Sequence, residues 1–162
     1  MANVRLRLAA AFVAFALLLW LWPNLVHEPT HLLALRLQGA QGSINFDFNF
    51  PPRPSITLVG QHPLGLAGGL FFLLAPSLLS LAILGLCWFS RGRAALLTHV
   101  VLPIYLTFDL LINVGKSWLP TSDFRFLQAI PGLGFALLVT IFLYGAFITY
   151  TGLKGWGSRS LG

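Results

Sequence analysis

His27-Glu28-Pro29-Thr30-His31 is the stretch of this 162-residue chain whose residue types and spacing point most directly to chemistry. It has the form H-E-x-x-H. On a helix, residues four apart share a face, so both imidazoles can hold one zinc ion. Glu28 stands beside them, placed to take a proton from a water at the metal. It is the only glutamate in the chain. Ionisable groups in apolar helices are costly and mark functional sites. The plainer reading is a cluster of hydrogen-bonded histidines where a helix leaves the bilayer. The specificity of the motif in an apolar run favours the metal.

A catalytic zinc usually takes three protein ligands and a water. The single Cys87 excludes a cysteine-based zinc site and an intrachain disulfide. The third ligand must then come from Asp123, Asp109, His99, His62 or Asp47. Asp123 is preferred, because it follows the stretch Asn113–Pro120, which breaks an apolar helix. Irregular backbone at membrane depth is tolerated where it lines an enclosed cavity. Ser122 or Asp123 would equally well cap the helix that follows. Asp109 and Asn113 lie four apart on one helix face. They read as an alternative ligand, a hydrogen-bonding support for a zinc-bound histidine, or an interhelical polar contact. His99 reads as interfacial, His62 as a loop residue and Asp47 as part of a hairpin's polar face. Pro29 withholds a donor from the Leu25 carbonyl and predicts a bend.

The elements that carry these residues are apolar. Hydrophobic residues make up 57% of the chain and charged ones 9%, with a mean hydropathy of +0.82. Soluble domains carry about 25% charged residues. A soluble enzyme, a disordered tail and a nucleic-acid binder are therefore excluded, and the net charge of +6 reads as basic loops. The composition predicts an all-α membrane protein with about four transmembrane helices and a β-hairpin-like interfacial loop after the first. One polytopic domain covers 1–153, with spans at about 8–37, 63–89, 94–114 and 126–153. The first run lacks a small-x-small cleavage site before Pro23 and reads as a retained helix, bent at Pro23 or Pro29. The loop 39–62 alternates polar and apolar residues over Ser43–Phe50, and a second extended run follows at Ile56–Val59. Gly65, Gly68 and Gly69 read as sites of close helix approach. Residues 154–162, rich in Gly and Ser, read as a flexible tail. Four spans put both termini on one side, with six basic residues there against four on the other, which predicts cytoplasmic termini.

These motifs together resemble the site-2 protease family of intramembrane zinc metalloproteases, over about residues 8–150. His27-Glu28-Pro29-Thr30-His31 resembles the family's zinc helix. Ile44–Val59 resembles its β-structured membrane loop, and Leu66-Ala67-Gly68-Gly69 the small-residue stretch of the next helix. Asn113 to Asp123 resembles the Asn…Pro…Asp segment that supplies the third ligand. Thr30 and Phe124 stand where the family usually has glycine. The resemblance implies a zinc metalloendopeptidase with His27, His31 and Asp123 as ligands and Glu28 as general base. Its substrate would be a membrane protein or transmembrane peptide, held in an unwound state along the strand edge at Ile44, Phe46 and Phe48. The second expectation is a catalytically inactive, protease-like subunit that binds a partner or assembles a larger membrane complex. A third, a metal or proton transporter using Asp109, His99 and Glu28, lacks the inverted repeats such folds carry.

Overall fold

The computed structural model describes residues 2–59, 64–89, 97–119, 124–130 and 132–160. The protein is mostly helical, with one small two-stranded sheet. Helix α1 (Ala2–Trp22) runs through a π turn (Pro23–His27) into α2 (Glu28–Leu37). Strands β1 (Gln41–Asn45) and β2 (Ser55–Val59) follow, then α3 (Leu66–Phe89). A second π turn (Leu97–Val101) leads into α4 (Leu102–Gly115). Short 3-10 turns at Lys116–Trp118 and Arg125–Ala129 precede α5 (Leu133–Ser160). Among the described residues, four helical runs are long and apolar enough to cross a membrane: Arg5–Leu37, Leu66–Cys87, Leu97–Trp118 and Leu133–Lys154. Much of their apolar surface faces outward: Phe12 is 75% exposed and Phe135 73%. Exposed hydrocarbon on this scale fits a lipid environment.

The chain divides into two compact units. One is the continuous stretch Ala16–Leu79. The other is built from Met1–Phe15 and Ser80–Gly162.

In the continuous unit, α2 ends because Gly39 adopts a φ of +76°. The Gly39 amide bonds the Arg36 carbonyl and the Ala40 amide the Leu35 carbonyl, each within 3.1 Å. These two bonds form a Schellman motif, which satisfies the last carbonyls and turns the chain into β1. β1 and β2 pair antiparallel, with Ile44 opposite Ile56 and Asn45 opposite Ser55. The alternating stretch Ser43–Phe50 coincides with β1 only at Ser43–Asn45, and the run Ile56–Val59 lies within β2. β1 packs on α2 at Gly42, where a Cβ would lie 3.3 Å from Leu35 and 3.4 Å from Leu32.

In the other unit, Phe15 of α1 packs edge-on against Tyr105 of α4 at 5.9 Å. α4 and α5 approach at Gly145 and Gly152. A Cβ at Gly145 would collide with the Thr107 side chain, and one at Gly152 with the His99 carbonyl. Of the three glycines at the start of α3, Gly68 is also such a point, since a Cβ there would collide with the Gln38 side chain, whereas no atom lies within 4 Å of a Cβ placed on Gly65 or Gly69. The fourth helix begins at Leu133, not at Phe126, because Gly132 adopts a φ of +80° and breaks the preceding turn. Its far end extends through Ser160, where the sequence suggests a loose tail. An existing helix adds one hydrogen bond per residue, and this offsets the poor propensity of Gly155 and Gly157.

The glycines therefore differ in sign. Gly152→Ala should destabilise by about 1–3 kcal/mol, the range for overpacking against fixed backbone. Gly69→Ala should stabilise by about 0.5–1 kcal/mol. Thermal unfolding in detergent micelles would show this as a lowered midpoint for the first and an unchanged or raised one for the second.

Candidate functional site

The motif helix is shaped by a proline. Pro29 has no N–H, and in a regular α-helix its ring would press on the Leu25 carbonyl. The chain meets this with the π turn just upstream. The Glu28 amide bonds back five residues to the Pro23 carbonyl, and the backbone stays right-handed at Trp22, His27 and Glu28. Such turns carry one extra residue and recur at functional sites. The Thr30 hydroxyl donates to the Val26 carbonyl at 2.6 Å.

The widened turn leaves the two histidines together. Their ring centroids lie 5.0 Å apart at 74°. Two imidazoles on one tetrahedral ion, with metal–nitrogen bonds of about 2.1 Å, place their centroids about 5 Å apart. His31 is buried, and its Nδ1 lies 2.7 Å from the Phe72 carbonyl oxygen. A carbonyl oxygen only accepts, so Nδ1 carries the hydrogen and Nε2 keeps the lone pair. This is the support that metal-bound histidines commonly have. The Phe72 ring packs on the same imidazole at 4.7 Å. Glu28, half-buried, opens α2 directly after His27. The donor set thus fits a zinc ion at its first two ligands. Among the described residues there is no group of three His, Cys, Asp or Glu side chains able to hold a metal. Asp123, the expected third ligand, and His62 lie outside the described residues.

The hairpin is tied to the same helix. Asn24, in the π turn, is fully buried. Its Nδ2 donates to the Asp47 carbonyl at 2.7 Å, and its Oδ1 accepts the Asp47 amide at 2.9 Å. One side chain thereby pairs with backbone as a neighbouring strand would. One turn earlier, Trp20 Nε1 donates to the Phe48 carbonyl at 2.7 Å. The Asp47 carboxylate organises the loop beyond. It accepts the Asn49 amide at 3.0 Å, Asn49 Nδ2 at 2.7 Å and the Arg53 amide at 3.1 Å. The Asn49 amide above all, aided by the Asn49 side chain and Arg53, holds this carboxyl below its ordinary value of 3.8. Asp47 is thus a loop organiser, with both carboxylate oxygens engaged.

The other sequence candidates lie on several elements. Ile44 is half-buried within β1. Phe46 and Phe48 follow it, exposed, with their rings stacked at 6.1 Å. Asp109 and Asn113 are half-buried on α4, in the other unit, with the buried Tyr105 one turn before Asp109. His99 sits in the second π turn. The clamp roles of Asn24 and Trp20 and the acceptor at Phe72 are not evident from the sequence. A lone amide in an apolar run is a signal for the first; a backbone carbonyl leaves none.

Asn24→Leu removes both bonds to Asp47 and leaves its backbone groups without those partners. The Asp47 amide should then exchange with deuterium about tenfold or more faster, the effect of losing about 1–2 kcal/mol of local stability. The pH dependence has a definite sign. A depressed carboxyl pKa stabilises the loop above the ordinary value and loses that contribution as the pH falls through the folded one. The Asn49 and Arg53 amide resonances should titrate with a midpoint below 3.8.

Comparison of the chain with protein-family models, with curated proteins and with solved structures gives no match.

Proposed function

We propose that this protein is an intramembrane zinc metalloprotease of the site-2 protease type, a multi-pass membrane protein with cytoplasmic termini. The observation that carries the reading is the His27–His31 pair, at the spacing one ion requires, with the second ring held through its Nδ1. The four long apolar helices support the membrane setting. In this reading His27, His31 and Asp123 hold zinc. The chemistry that zinc supplies when bound is polarisation of the scissile carbonyl and acidification of the attacking water. Glu28 takes a proton from that water as its oxygen bonds to the carbonyl carbon. It then returns the proton to the amide nitrogen as the C–N bond breaks.

A transmembrane substrate must unwind before its peptide bond is open to attack. Its freed backbone groups then need partners. The hairpin supplies a strand edge for them, with Phe46 and Phe48 exposed beside it and the strand tied to the zinc helix through Asn24. Addition of an extended segment to that edge would satisfy the substrate backbone.

Elemental analysis should find about one zinc per chain, lost in His31→Ala. Glu28→Gln should keep the zinc and lower the rate of cleavage of a transmembrane peptide by about 100- to 10,000-fold. Undiminished cleavage by Glu28→Gln would sink the mechanism. Zinc binding without cleavage of any membrane substrate would favour the inactive subunit, which the Thr30 and Phe124 departures also fit.

A further inference from the structure

Pro76 lies in the interior of α3 and is buried. A proline has no amide hydrogen, so the carbonyl four residues before it loses its helical donor. That carbonyl belongs to Phe72. It is the same carbonyl that accepts from His31 Nδ1 at 2.7 Å. We infer that Pro76 is a positioning residue: it frees the Phe72 carbonyl from the α3 ladder so that this carbonyl fixes His31 as the Nδ1–H tautomer.

Inside an apolar helix, a carbonyl deprived of its donor must find another or remain unsatisfied. His31, 3% exposed, is likewise cut off from water and needs an acceptor for its ring N–H. The two needs meet in one bond. The proline ring also crowds the carbonyl four residues earlier and turns it away from the helix axis, toward a lateral partner. The Phe72 side chain packs on the His31 ring, so the same residue holds the imidazole from its ring and from its backbone.

An ordinary residue at position 76 would restore the ladder. Its N–H would draw the Phe72 carbonyl back along the axis and compete with His31. The imidazole hydrogen would then distribute between Nδ1 and Nε2. Each molecule with the hydrogen on Nε2 lacks the lone pair that faces away from Phe72, which is the one a ligand would use. The effect on metal rests on the zinc reading of His31 given above; the tautomer itself does not.

The two are tested separately. Protein carrying 15N-imidazole histidine is prepared without metal in micelles, at a pH where the ring is neutral, with His31→Gln to assign the signals. Wild type should show a protonated Nδ1 and an unprotonated Nε2 at His31. Pro76→Ala should transfer a substantial share of the hydrogen to Nε2. Wild-type His31 protonated on Nε2 would overturn the proposal, and that spectrum needs no variant to fold. A Pro76→Ala spectrum identical to wild type would also overturn it. Titration with zinc alone should then show affinity weakened about 10- to 100-fold in Pro76→Ala, the usual effect of losing an outer partner of a ligand. Wild type that shows the Nδ1–H tautomer but binds no zinc would remove the metalloprotease reading and leave the role of Pro76 intact.

Discussion

A backbone carbonyl inside an apolar helix has no water to turn to, and every proline in such a helix takes one donor away. The site depends on how this chain resolves that constraint. Pro23, Pro29, Pro76 and Pro103 each stand within a helical run, and the last three show how the deficit is met. Pro29 and Pro103 are each the second residue after a five-residue π turn, Pro23–His27 and Leu97–Val101. Pro76 has no such turn before it in α3, and the deprived Phe72 carbonyl is served by His31 from the side. The same deficit thus produces a wider turn in two places and a side-chain bond in the third.

The second consequence concerns the hairpin. A two-stranded ribbon is marginal by itself. This one is anchored at both ends of β1. The Schellman turn at Gly39 feeds it from α2, and Asn24 and Trp20 grip the residues beyond Asn45. The helix that presents His27 and His31 therefore also carries the anchors of the strand. A change at Asn24 acts on strand position without altering any group proposed to do chemistry.

The sequence is most informative where a property is summed over many residues. Four apolar stretches announce four long helices because hydropathy averages over about 20 positions. Alternation from Ser43 to Phe50 and the run Ile56–Val59 announce the hairpin, and H-E-x-x-H announces the paired imidazoles. What stays hidden is decided by single hydrogen bonds and by contacts distant in the chain. Hydropathy does not record whether Glu28 bonds back four residues or five. The glycines at the start of α3 look alike, yet Gly68 lies against Gln38 while Gly65 and Gly69 face open space, and α4 meets α5 at Gly145 and Gly152, because glycine content alone does not say which face has a neighbour. The His31 partner is a main-chain oxygen, so no side chain at position 72 would reveal it.

The π turn at Pro23–His27 also sets a phase. A regular α-helix turns each residue through about 100°. A turn with one residue more shifts everything before it by that angle relative to everything after. The helical wheel of α1 and that of α2 are therefore out of step, although the backbone never leaves the right-handed region. A helical wheel drawn without a break from Ala16 to Leu37 therefore sets the residues of α1 about 100° from their true direction relative to α2. Removing one residue from the turn would leave the motif intact and rotate Trp20 by roughly a quarter of a circle about the helix axis.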